Sequence, residues 1–131
     1  MAGNAPIPSE AEAVGKAVVD SAFRMHSQLG AGLLESVYET CLEYELRKRG
    51  VPVRRQVLVT IVYDGAQLDA GLRLDLLVGE SVVVEVKAGE RLLPVFDAQL
   101  LTYLKLAEKR LGFIINFNVP LIRDGIKRLV L

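Results

Sequence analysis

The sequence predicts a three-layer α/β sandwich or an α+β domain, with helices covering a sheet. Three observations carry this expectation. Apolar residues recur at helical spacing in three stretches, and strand-like alternation fills the gaps between them. The resulting order is helix, helix, three strands, helix, two strands. No internal repeat and no linker divides the chain, so residues 9–131 are expected to form one domain behind a loose tail, residues 1–8.

Ser9 followed by Glu10 and Glu12 reads as a helix cap with acids in the first turn, where they suit the helix dipole. Val14, Val18, Ala22, Met25 and Leu29 then predict an amphipathic helix over roughly 10–29, stopped at Gly30-Ala31-Gly32. A second helix is expected from near Leu33 to about Arg49, with Leu34, Val37, Cys41, Leu42 and Leu46 as its buried stripe. Basic residues 47–49 and Gly50 supply its C-terminal signature. From Val53 the period changes to two, and Asp64-Gly65 bounds the first strand. A second strand, Gly71 to Val78, and a third, Ser81 to Lys87, flank Gly79-Glu80 and read as a hairpin. Residues 95–111 return to helical period, and Gly112 is expected to end that helix. Short strands over 112–118 and 126–131 complete the chain.

Apolar residues make up 51% and charged residues 24% of 131 positions, the composition of a globular chain and not a disordered one. Runs such as Val82-Val83-Val84 are far too short to span a bilayer, and no signal peptide opens the chain, so a cytoplasmic location is expected. One cysteine, Cys41, excludes an internal disulfide and a cysteine-based zinc site, and is read as a buried structural thiol. A formal net charge of zero argues against strong non-specific DNA binding. The balance is uneven, however: residues 1–86 carry 8 basic and 12 acidic side chains, and residues 87–131 carry 8 and 4, which leaves room for a local basic face.

Two charged features interrupt apolar strands. Asp75 lies within Leu72-Arg73-Leu74-Asp75-Leu76-Leu77-Val78, and Glu85 and Lys87 end Val82-Val83-Val84-Glu85-Val86-Lys87. Glu85 and Lys87 are two apart and share a strand face. A turn at Gly79-Glu80 sets Asp75 opposite a residue near Glu85, so two carboxylates converge beside one ammonium. Burying them uncompensated is costly. A hard divalent cation resolves that cost, with Mg²⁺ typically taking one or two carboxylates, a backbone carbonyl such as that of Val86, and waters. Such an ion lowers the pKa of water and stabilises phosphodiester charge, while Lys87 can orient or deprotonate the water. The plain alternative is an acid–lysine cluster at a strand end.

Other polar residues fit around this pair. Glu35 follows Gly30-Ala31-Gly32 at the start of the second helix, where an acid also simply suits the dipole. Gly30-x-Gly32-x-x-Glu35 lacks a third glycine and precedes the strands, so a dinucleotide site is excluded, and no Walker loop is present. Gln99 and Tyr103 lie one helical turn apart on one face and can reach a phosphate or a water. His26, the only histidine, follows core Met25 and reads as structural, without the spacing of a catalytic triad.

Gly32-Leu33-Leu34-Glu35-Ser36-Val37-Tyr38 resembles the signature of the GxxExxY family, a branch of the PD-(D/E)XK nuclease superfamily. The likeness continues through Arg73-Leu74-Asp75, Val84-Glu85-Val86-Lys87-Ala88, Ala98-Gln99-Leu100-Leu101-Thr102-Tyr103 and Asn116-Phe117-Asn118-Val119-Pro120, and so covers roughly residues 10–131. It implies a restriction-endonuclease-like αβββαβ core with a mixed central sheet. It also implies Asp75 and Glu85 as metal ligands, Glu35 as an extra acid at the metal, Lys87 as the catalytic lysine, and Gln99 and Tyr103 lining the site. One departure is Ala31, where the family often has proline. The function expected is an Mg²⁺- or Mn²⁺-dependent nuclease acting on DNA, or alternatively RNA. A catalytically silent nucleic-acid-binding or protein-interaction module on the same fold is the competing reading. A domain this small has little surface with which to grip a duplex, which makes a homodimer an expectation as well.

Overall fold

The computed structural model describes residues 5–131, leaving aside the side chains of residues 69 and 70. Residues 1–4 of the expected tail lie outside the described residues. Ile7 packs against the core, and Arg110 donates to the carbonyl oxygens of Ala5 (2.7 Å) and Pro6 (3.0 Å).

Helix α1 (Ser9–Leu29) buries Ala11, Val18, Ala22 and Met25. Ser9 is its first helical residue and not a side-chain cap; Pro8, with φ −55°, holds the cap position without a side-chain hydrogen bond. Gly30, at φ +70°, ends the helix in a conformation that suits glycine. Helix α2 spans Glu35–Lys48, and its buried stripe differs from the expected one. Tyr38, Leu42 and Leu46 are fully buried, whereas Leu34 is 73% exposed, Val37 38%, and Cys41 only half-buried. Tyr38 decides the rotation. Its ring stacks on Phe117 at 4.6 Å, and its hydroxyl donates to the Gly30 carbonyl (2.7 Å) while accepting the Leu33 N–H (3.2 Å). The tyrosine thus fills the core slot and turns its aliphatic neighbours outward.

The strands are β1 (Val53–Tyr63), β2 (Ala66–Val78), β3 (Val82–Lys87), β4 (Leu111–Asn116) and β5 (Ile126–Val130), forming one five-stranded sheet in that order. All neighbours are antiparallel except β3 and β4. Asp64 and Gly65 both take positive φ, giving a tight β1–β2 turn that lets β2 begin at Ala66 instead of Gly71. Helix α3 (Pro94–Ala107) makes the crossover from β3 to β4. It stops before the expected boundary at Gly112, because Glu108 adopts the left-handed conformation and the Lys109 N–H bonds the Leu104 carbonyl at 2.9 Å, a Schellman closure without glycine. Gly112 lies instead within β4, where a Cβ would meet Leu100 at 3.0 Å.

Helices α1 and α2 cover one face of the sheet over Leu76, Val84, Val86, Phe113 and Ile115. Helix α3 covers the other, with Leu100 and Leu104 packed on Leu74, Leu77, Val83 and Ile114. This is the three-layer arrangement expected from the sequence. From α2 to β4 it follows the αβββαβ order, with α1 and β5 added at the ends. Among the described residues, no helix is long and apolar enough to cross a membrane.

Candidate active site

Residues two apart on a strand face the same way, yet both strands of the first hairpin break this rule at one place. Val53 packs in the α1–α2 core, whereas Val57 packs on the α3 side; Leu76 and Leu74 divide likewise. The register runs Arg55↔Leu76 and then Val57↔Leu74, so Gln56 and Asp75 stand between matched pairs. Gln56 has φ +52°, uncommon for a residue with a side chain. The ribbon rolls over at this point.

The β2–β3 ladder ends at Leu76↔Val84, just short of the roll. Side chains replace the next rungs. The Asp75 N–H donates to Glu85 Oε2 (3.0 Å), and the Val86 N–H donates to Asp75 Oδ2 (2.9 Å). Two carboxylates are thereby fixed in a fork between the strands, opposite one another as the Gly79-Glu80 turn predicted. A strand residue presents its N–H and C=O to the same neighbour, so the Val86 carbonyl is also directed into the fork.

Burial raises the pKa of Asp75; the Val86 N–H pulls it down, Glu39 pushes it up, and Lys87 and Glu35 act more weakly in opposite senses. Glu85 is pushed up to about 8, first by burial and then by the charge of Asp75. Burial followed by the charges of Glu85 and Asp75 also raises the Tyr103 hydroxyl, which places that ring in the field of the pair. Among the described residues neither carboxylate has an ion-pair partner within 4.0 Å. The fork is short of positive charge.

Lys87 shares the Glu85 face of β3, and its ammonium sits 4.3 Å from the centre of the Phe96 ring. Lys87 and Phe96 line a cleft of about 470 Å³ together with Glu35, Gly89, Arg91 and Leu93. Glu35, the exposed first residue of α2, therefore reaches this cleft, and its charge is felt at Asp75. Gln99 is exposed on α3 and makes no side-chain hydrogen bond among the described residues; like Asp75, Glu85 and Tyr103, it does not line this cleft. His26 lies elsewhere, with its Nε2 2.8 Å from the Val119 carbonyl oxygen beside a separate cavity lined by Phe23 and Leu121.

Glu39 was not singled out in the sequence. It is 7% exposed, accepts from Arg55 Nε (3.1 Å) and Gln56 Nε2 (2.9 Å), and its charge acts on both Asp75 and Glu85. The available signal was its position one helical turn after Glu35.

Among the described residues, no group of three or more His, Cys, Asp or Glu side chains forms a ready metal cluster. The donor chemistry of the fork nonetheless fits a hard divalent cation. Asp75 and Glu85 each engage one carboxylate oxygen with a backbone N–H and leave the other oxygen available, and the charge of Asp75 disfavours that of Glu85.

A family model of the PD-(D/E)XK nuclease superfamily matches residues 12–129. The chain belongs to that superfamily, whose members generally use divalent metal ions and act on nucleic acids. No curated protein and no solved structure matches the chain.

Proposed function

We propose that this chain is a divalent-cation-dependent nuclease that hydrolyses phosphodiester bonds in DNA, and that it belongs to the GxxExxY branch of the superfamily. The observation that carries the reading is the fork in which the Glu85 carboxylate accepts the Asp75 N–H and the Asp75 carboxylate accepts the Val86 N–H, with the charge of Lys87 acting on both. Asp75, Glu85 and the Val86 carbonyl would hold Mg²⁺ or Mn²⁺. When bound, such an ion supplies Lewis-acid stabilisation of charge on the phosphodiester oxygens and acidifies water.

The chain's own groups do the rest. Lys87 would orient the attacking water and offset charge developing on the phosphate. Glu35 bounds the cleft from the α2 side, and the Tyr103 hydroxyl lies near the pair from the α3 side. Gln99, exposed one turn before Tyr103, is left to contact substrate and not the carboxylates. Residues 9–131 act as one catalytic domain, and pairing of two copies would enlarge the surface available to a duplex.

Divalent-dependent cleavage of single- and double-stranded DNA and of RNA tests the reading, with Asp75→Ala as control. Cleavage that requires Mg²⁺ or Mn²⁺ and disappears in the variant supports it, whereas equal cleavage by the variant rejects the site. DNA binding without cleavage under every metal condition favours a silent binding module.

A further inference from the structure

The roll of the β1–β2 ribbon has an identifiable support. Gln56 sits at φ +52° inside a strand, a conformation that persists only where the surroundings enforce it. Its side chain is held by Glu39, whose Oε1 accepts Gln56 Nε2 at 2.9 Å and Arg55 Nε at 3.1 Å. Arg55 reaches Glu43 as well, at 3.4 Å, so two successive turns of α2 are tied to the roll at Gln56 and to the residue before it. Directly across the ribbon, Asp75 directs its carboxylate along the sheet to the Val86 N–H and not up or down from it.

We infer that Glu39 is a positioning residue, a buried latch from α2 that holds Gln56 in its left-handed conformation and so aims the Asp75 carboxylate into the fork with Val86. The inference deepens the metal-centre reading above and rests on it for its function, though not for its geometry. The role assigned to Glu39 is to hold Gln56 and Arg55 through its Oε1, and not to hold the ion. The same latch connects the fork to the helix whose first residue, Glu35, borders the cleft.

Two readouts on the full chain test this, one independent of metal. The first is hydrogen exchange of the Val86 amide, which bonds Asp75, against that of Val84 within the ladder. The second is Mn²⁺ affinity by calorimetry. Glu39→Ala is expected to speed Val86 exchange relative to Val84 and to weaken Mn²⁺ binding, each by roughly tenfold or more, the usual range for residues that orient ligands. Gln56→Gly removes the latched side chain but accepts positive φ freely; it should show the same pattern and serves if Glu39→Ala does not fold. Glu39→Gln keeps the acceptor oxygen and should stay within about threefold of the parent in both measurements.

Unchanged Val86 exchange in Glu39→Ala and Gln56→Gly would overturn the latch. Equal loss of affinity in Glu39→Gln and Glu39→Ala would overturn it too, because the carboxylate charge and not its geometry would then be what matters. Faster Val86 exchange in a protein that never binds Mn²⁺ would uphold the latch while removing the metal reading.

Discussion

Replacing Glu85 with glutamine isolates the electrostatic strain of the fork. Glutamine keeps the shape and an oxygen to accept the Asp75 N–H, but carries no charge. In the folded protein the Glu85 carboxyl is raised from 4.5 to about 8, so the native state holds this proton more tightly than the unfolded chain does. The associated stability is fully present below pH 4.5, declines as pH rises, and is lost above about pH 8. At roughly 1.4 kcal/mol for each pH unit, the shift corresponds to a few kcal/mol. Urea unfolding followed by far-ultraviolet circular dichroism, from pH 4.5 to 9 without divalent ions, reads this directly. Glu85→Gln should match the parent at low pH and exceed it by several kcal/mol at pH 9. Saturating Mn²⁺ should close the gap at high pH, because it stabilises only the parent. Parallel curves for parent and variant across the whole range would show that Glu85 carries no electrostatic strain in the fold.

Lys87→Met should reduce cleavage by about a hundredfold or more while retaining Mn²⁺ affinity, measured by single-turnover kinetics alongside calorimetry. Tyr38→Phe keeps the stack on Phe117 but loses the hydroxyl that joins Gly30 to Leu33, and should cost about 1–2 kcal/mol in urea unfolding. Gly125→Ala would place a Cβ 2.0 Å from the Asn116 carbonyl oxygen, so a loss of about 3 kcal/mol or more is expected in thermal melts. Gly89→Ala, with Arg91 O no nearer than 3.9 Å, should be close to neutral.

That Asp75 meets a residue near Glu85 was legible in the sequence, because the glycine turn at residue 79 sets the hairpin to within a residue or two of register. The roll beside it was not. Val57 to Tyr63 alternates equally well in either phase, and Gln56 lacks the glycine or asparagine that usually announces positive φ. Helix α2 existed in the pattern, but its orientation turned on whether Val37 or Tyr38 took the core, which depends on Phe117 some eighty residues away. Glu39 was hidden for a related reason. It is one of several acids on α2, and only the folded contact with Arg55 and Gln56 distinguishes it. The end of α3 was misplaced because a glutamate, Glu108, supplies the left-handed closure that glycine normally provides.

The proposed function requires the fork between β2 and β3 to hold a divalent cation. Anomalous diffraction from crystals soaked in Mn²⁺ tests it most directly. A single strong peak between the Asp75 and Glu85 carboxylates, near the Val86 carbonyl and absent in Asp75→Ala, is the predicted result. Clear density for both side chains with no peak between them at millimolar Mn²⁺ would contradict the account.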